Sequence, residues 1–426
     1  MPRRTYHRSR ATCCWRERLS KRLFWSTSET DETARSDRWI WRGILRTVLL
    51  TWAALAAATS VHAADPILIG VSLGSTGTYS APALMQQRGY RLWEKHVNQK
   101  GGLLGRAVKI VIVDDKSDGE QSKKIYKDLI TRQRVNFVFG PYSSQITLAI
   151  SPILEKFGYP TLLPGAAADQ IWRQGYKNVF GVFIPASKYS LEMLRLAVLH
   201  DLRAVAIVYA DDAFSVEVGE GAKRWAGNAK LDVVMFERFK KGTQDLTHLA
   251  SVAKEAKADL LIVAGHFNES VDMRRALKSI QWHPRAYFAT IGPTLQKYGD
   301  MLGSDANHTF APSLWEPNKK LEFPGSRRLI EDFERAYGSS PSYHAANAYA
   351  AGQILEAAIK NAGGLSRDKV RQALYDLDHH TAIGRFRVDR FGVPIKHRPL
   401  IIQWRGGEKV IVHPEEHRGD ARPKFK

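Results

Sequence analysis

From Ile67 onward, apolar runs of four to seven residues alternate with segments of helical periodicity, about nine times before residue 312. Runs such as ILIGVSL (67–73), VKIVIVDD (108–115), AVAIVYADD (204–212) and DLLIVAGH (259–266) are almost continuous in Val, Ile, Leu and Ala. A strand covered by helices on both faces reads this way, whereas a strand with one wet face alternates. Between the runs, LMQQRGYRLWEKHVN places Met85, Gly89, Leu92, Trp93 and His96 on one helical face. EQSKKIYKDLITRQ spaces Ile125 and Leu129 by four. The pattern predicts an α/β fold in which parallel-type sheets are flanked by helices. So many units exceed one sheet of usual size, so two similar lobes are expected. The first lobe is expected over 65–184 plus 314–384 and the second over 185–313 plus 385–413, with 414–426 as a tail. The chain then recrosses through a multi-crossover hinge. Ligands of such sheets bind beyond the carboxyl ends of the strands, which here face each other across a cleft.

Upstream of this rhythm, Arg38, Arg42 and Arg46 lead into an apolar run from about Val48 to Ala58, closed by the small residues around Val61-His62-Ala63. That is the layout of a cleaved secretory signal, and the run is too short for a membrane span of about 20 apolar residues. Cleavage is expected after Ala63 or Ala64, which makes 1–64 a leader and places the mature chain in the periplasm. Both cysteines, Cys13 and Cys14, fall in the leader, so no disulfide, thiol nucleophile or thiolate metal site is expected in the mature chain. No cysteine stands at the cleavage point, which argues against a lipid anchor. The formal net charge is +20, and residues 1–64 contribute 12 Lys and Arg against 5 Asp and Glu. The other basic residues are scattered along helices, so together with export they read as solvated faces and not as a nucleic-acid surface.

The stretch FVFGPYSSQITLAI (137–150) ends an apolar strand in a Gly-Pro turn, offers Ser143 and Ser144, and opens a helix. A helix N-terminus carries unpaired N–H groups and a partial positive charge, which suits a carboxylate. An N-cap is the simpler role for either serine. Taken alone, the stretch leaves both open.

From Asn98 to Asp115 the chain carries Asn-x-x-Gly-Gly-Leu-x-Gly-Arg followed by a strand ending in Asp-Asp. GPYSSQ, YPTLLPGAA, YADDAFS, PSYHAANAYAAGQIL and IGRFRVDRFG follow in order. In these motifs, over roughly 66–413, the chain resembles the periplasmic solute-binding proteins of branched-chain amino acid ABC transporters, the Leu/Ile/Val type with the type I periplasmic binding fold. The resemblance implies that a hydroxyl after the Gly-led turn and the backbone of a Pro-Gly-Ala segment hold a ligand carboxylate. Those positions fall on Tyr142, Ser143, Ser144 and Gln145, and on Gly165, Ala166 and Ala167. Tyr79 falls on a first-loop aromatic that packs the ligand, Phe214 where the family often has Tyr, and His266 on a second-lobe aromatic. Gly292 falls on the loop where amino-acid binders keep an acid for the ammonium.

Two departures bear on the cargo. PGAAAD offers Ala167 and Ala168 where a hydroxyl is common, and ATIGPTLQ around Gly292 holds no acid. A buried ammonium without a carboxylate partner is costly to desolvate. Asp212 and Glu269 are candidate replacements, with strand-end turn and helix N-terminal acid as their plainer readings. The expected ligand is therefore a small carboxylate-bearing molecule: a branched-chain amino acid, a related organic acid or an amide.

The resemblance implies a monomeric, exported solute-binding protein that closes on its ligand by a hinge and presents it to ABC transporter permease subunits. It implies no covalent chemistry and no cofactor. A sensor subunit of the same fold, signalling through a partner, is the alternative. An exported hydrolase is more remote, since Ser143, His266 and several aspartates exist but no G-x-S-x-G elbow does. Gly70, Gly74 and Gly77 mimic a dinucleotide loop, but their spacing is not G-x-G-x-x-G.

Overall fold

The computed structural model describes residues 65–317, 323–395 and 397–426. The leader, with Cys13, Cys14 and the expected cleavage site, lies outside them. The first sheet contains β1 (Ile67–Leu73), β2 (Val108–Asp114), β3 (Phe137–Phe139), β4 (Thr161–Leu163) and β5 (Val179–Gly181), in the order β2-β1-β3-β4-β5. All its pairings are parallel. The second sheet uses β6 (Ala204–Ala210), β7 (Asp232–Phe239), β8 (Leu260–Ala264), β9 (Ala286–Ala289) and β10 (Thr309–Ser313). A small antiparallel ribbon of β11 (His379–Thr381) and β12 (Gly384–Phe386) comes next. The chain then adds β13 (Leu400–Arg405) and β14 (Glu408–His413) to the second sheet, giving the order β14-β13-β10-β9-β8-β6-β7. The continuous apolar runs are buried as expected: Ile67, Ile69, Val71 and Leu73, and every residue from Leu260 to Ala264, are fully buried.

One edge of the second sheet is antiparallel. Gly406 and Gly407 adopt φ of 57° and 85°, and the two-residue turn they make folds β14 back on β13. Such turns need left-handed backbone at both central residues, which glycine accepts without strain.

Helix Ser80–Gln99 covers the first sheet and packs against helix Tyr343–Ala362, which returns to this lobe after β10. A Cβ on Gly89 would stand 2.0 Å from the carbonyl oxygen of Ala345, and one on Gly352 2.1 Å from the Trp93 ring. Small residues therefore set the distance between these helices. His96 locks the junction, with Nδ1 2.8 Å from the Tyr349 hydroxyl and Nε2 2.8 Å from Asp332. Met85 is only partly buried, and the inward face instead runs through Gln86, Gly89, Tyr90, Trp93 and Val97. Met85 packs on the Leu295 and Tyr298 cluster of the other lobe.

The chain crosses between sheets three times: after β5, after β10 and before β13. The last crossing lies later than residue 385, because Gly181 N–H still donates to Gly392 O at 3.0 Å. The end of the chain is tied down: Gln403 exchanges bonds with Lys424, and Phe425 stacks on Phe310 with centroids 5.4 Å apart. No helix among the described residues is long and apolar enough to cross a membrane.

Candidate functional site

Between the sheets lies a cavity of about 20 Å³, room for roughly one water. It forms where β3 gives way to helix Ser144–Phe157. Ser143 caps this helix with φ 91°, a strained value for a residue with a side chain. Its N–H donates to Gly165 O at 3.0 Å, and its hydroxyl accepts from Ile146 N at 3.5 Å. The Ser144 hydroxyl accepts from Ala167 N and Ala168 N, both at 3.0 Å. It thus ties the segment after β4 to the helix start. With both lone pairs used, its O–H remains as a donor. The first-turn N–H groups of the helix have no intrahelical partner by construction.

Seven of the expected residues line the cavity: Tyr142, Ser143, Ser144, Gly165 and Ala167 from the first lobe, Phe214 and His266 from the second. Tyr79 stands at its edge, its ring centroid 5.4 Å from Tyr142 and 4.9 Å from His266. Three do not reach it. Gln145 is exposed on the first helical turn. Ala166 points into a core cluster with Ile171 and Trp172. Gly292 is packed under helix Phe267–Ser279, its N–H donating to Ser270 Oγ at 3.2 Å, and a Cβ there would meet Ser270 Cβ at 2.5 Å. No side chain at 292 fits without moving that helix.

The cavity also takes Phe183 and Tyr189 from the first crossing, Ile291 from the second lobe, and Tyr343 and His344 from the start of the helix after the second crossing. Reading the sequence did not single these out as site residues. A signal existed in principle, since both segments flank the crossings and a hinge borders the cleft. Two aromatics in an alanine-rich helix nevertheless read as core.

The charges follow a clear plan. Asp212 caps helix Ala213–Asn228, accepting from Phe214 N at 3.0 Å and from the Ser215 hydroxyl at 2.6 Å. It also faces His266 Nε2 at 3.2 Å. Burial alone would raise its pKa, but His266, Ser215 and Lys241 hold this carboxyl well below the usual range, so it stays ionised. Glu269 accepts from His266 N at 3.1 Å and from Gly242 N at 3.4 Å. Both acids are thus engaged inside their own lobe, in the plainer roles the sequence allowed. Lys241, on the loop after β7, reaches across the cleft: its Nζ donates to the Tyr79 hydroxyl and lies 3.9 Å from the Tyr79 ring centroid. Burial pushes its pKa below the ordinary lysine value, against the pull of Asp212, Glu269 and Asp211. Tyr142 makes a second link, its hydroxyl 3.3 Å from His266 Nδ1.

The two nitrogens of His266 therefore face Tyr142 and Asp212, and among the described residues no serine is hydrogen-bonded to either nitrogen. No described cluster of three or more His, Cys, Asp or Glu could hold a metal ion. Phenols, imidazoles, one ammonium and a helix N-terminus can desolvate and hydrogen-bond a small anion; an activated nucleophile is not among them.

A family model described as a periplasmic binding protein matches residues 66–408. A Leu/Ile/Val-binding protein homolog of Brucella suis is 27% identical over 385 residues, covering 85% of this chain and 96% of that one. Among solved structures, a leucine binding protein from Thermotoga maritima superposes with a TM-score of 0.76 at 22% identity, covering 82% of this chain and 98% of that one. An ABC transporter solute binding protein from R. palustris, in complex with benzoate, superposes with a TM-score of 0.72 at 20% identity, covering 81% and 95%. At these identities the two structures speak for the fold alone.

Proposed function

The chain belongs to the periplasmic binding protein family, and from that premise we propose that it captures a small carboxylic acid lacking an α-ammonium and delivers it to an ABC transporter permease. The observation that carries this reading is the charge plan of the cleft. An ammonium needs a carboxylate partner when buried. Here position 292 is a glycine closed off by Ser270, and Asp212 and Glu269 are spent on caps and on His266. The charge that crosses the cleft is instead the Lys241 ammonium. Ser144 O–H, the helix N-terminus behind it and Lys241 together suit an anion. One structural neighbour is in complex with benzoate, so this fold can hold an acid that has no ammonium.

Export through a cleaved signal and passage of the ligand to membrane permease subunits belong to the same reading. The leader's charge and apolar pattern and the family membership support them. Capture works by hinge closure: the first lobe receives the carboxylate, and the second closes over it with Phe214, His266 and Lys241. No bond is made or broken.

Thermal unfolding of the purified protein with leucine, 4-methylpentanoate, benzoate and isovaleramide tests this. A ligand at 100 times its Kd adds about 2.7 kcal/mol, a midpoint rise of several degrees. The acids should raise the midpoint and leucine should not. A shift with leucine alone means an ammonium partner exists and the reading is wrong. No shift with any of the four counts against capture of small carboxylates altogether.

A further inference from the structure

Resting on the reading that the cleft takes an unaminated acid, we propose that His344 reads a second, uncharged hydrogen-bonding group on that acid, a hydroxyl or a carbonyl. His344 is the second residue of helix Tyr343–Ala362, is 2% exposed and lines the cavity. Neither Nδ1 nor Nε2 has a hydrogen-bond partner among the described residues. The ring is wedged in place, stacked on Tyr343 with centroids 4.0 Å apart and tilted against Tyr142 at 5.6 Å. A purely structural buried histidine satisfies its nitrogens, as His96 does in this same protein with Tyr349 and Asp332. Burying a donor or an acceptor without a partner costs about 1–3 kcal/mol, so orphaned groups in a wall facing a cavity point to a ligand that completes them.

Two further buried side chains, beside residues that line the cavity, also carry unpartnered polar atoms. Asn347 lies one turn on, fully buried, with both amide atoms lacking partners among the described residues. Residues three apart share a helix face, so it extends the same surface. Gln86 Oε1 is unpartnered as well and sits against Gly165, where a Cβ would stand 2.4 Å from it. Gly165 lines the cavity beside Ser143, whose N–H it accepts.

The chemistry of the group follows from the imidazole. A neutral ring offers one N–H and one lone pair. Burial, helped by Lys409 and His266, keeps it neutral. A second carboxylate would face that lone pair, with the nearby Lys409 already paired to Glu316, and an alkyl group would leave both nitrogens orphaned. A hydroxyl can donate to one nitrogen or accept from the other, and a carbonyl can accept from the N–H. The ligand's own carboxylate remains with Ser144, the helix N-terminus and Lys241.

Isothermal titration of the purified protein with benzoate and its three hydroxy derivatives, and with 4-methylpentanoate and its 2-hydroxy and 2-oxo derivatives, tests the assignment. At least one derivative should bind about ten-fold or more tightly than its parent, since a site built around a polar group rejects the analogue lacking it. His344→Phe, which keeps a ring of similar size, should abolish that preference, so that parent and derivative bind the variant equally. His344→Asn keeps a donor and an acceptor and should retain part of it. If no derivative exceeds its parent with the unsubstituted protein, the proposal is overturned without recourse to any variant. If the preference survives in His344→Phe, another residue reads the group. If parents and derivatives bind equally, the acid reading stands and only the role of His344 falls. If no acid binds while leucine does, the acid reading fails first and this assignment with it.

Discussion

His344 ties the site to pH. Burial, with Lys409 and His266 nearby, lowers its pKa to about 3. An unfolded histidine titrates near 6.5, so between those values the unfolded chain binds a proton that the folded chain refuses. Its contribution is therefore complete above pH 6.5 and is lost progressively as pH falls toward 3. At pH 5 it costs the fold about 2 kcal/mol relative to pH 7.5. His344→Gln has no such proton to refuse. Urea unfolding at the two pH values should show its loss of stability on acidification smaller than that of the unsubstituted protein by about that amount. Equal losses would mean His344 is already protonated, or partnered, in the native state. Lys241 makes a separate prediction. A hydrogen bond to a charged group is worth about 1.5–3 kcal/mol, so Lys241→Met should weaken benzoate binding by about ten-fold or more in calorimetry. Unchanged affinity would remove it from the ligand's contacts. These two residues also mark how far the site was legible. Tyr142, Ser143, Ser144, Phe214 and His266 sit at strand ends, where the fold rule places ligands, and they do line the cavity. His344 reaches it through a crossing, and Lys241 reaches Tyr79 at its edge through a loop after an edge strand, and neither spacing nor periodicity records that.

At the scale of elements, the contact between helices Ser80–Gln99 and Tyr343–Ala362 depends on what is missing from its side chains. A methyl on Gly89 would sit 2.0 Å from a backbone oxygen that cannot swing away. Gly89→Ala should therefore cost about 1–3 kcal/mol, the usual penalty for overpacking, although alanine is the better helix former. At Gly227, in helix Ala213–Asn228, an added methyl would meet nothing within 4 Å. Gly227→Ala should stabilise by up to about 1 kcal/mol through helix propensity alone. Denaturant midpoints of the two variants should move in opposite directions; a rise in both would show that propensity, not the helix contact, governs both. Strands of this kind were plain in the sequence because burial on both faces removes polar residues from them. Their lengths were not: β3, β4 and β5 are three residues each, cut short where Gly140, Pro164 and the first crossing turn the chain toward the cleft. Which partner Gly89 served was also hidden, because the partner lies more than 250 residues away and the apolar stripe of either helix names only a face.

For the whole molecule, closure is the property that function needs, and the contacts between lobes say what holds it. Lys241 meets Tyr79, Tyr142 meets His266, and Met85 rests on the Leu295 cluster. The cavity these contacts enclose, about 20 Å³, is too small for an organic acid, so entry requires the lobes to part. The cation over the Tyr79 ring, with its hydrogen bond, is worth about 1–2 kcal/mol when desolvated. Removing it should shift the balance of closed and open forms by about ten-fold. Tyr79→Ala should accordingly raise the radius of gyration measured by small-angle X-ray scattering without ligand, and saturating benzoate should bring it back down. The same variant should bind benzoate more weakly by a similar factor, because the ligand must now restore the closure that Lys241 and Tyr79 had supplied. An unchanged radius with reduced affinity would make Tyr79 a wall of the site and not a latch between lobes. An unchanged affinity with a larger radius would mean that closure and capture are uncoupled, which no hinge mechanism allows.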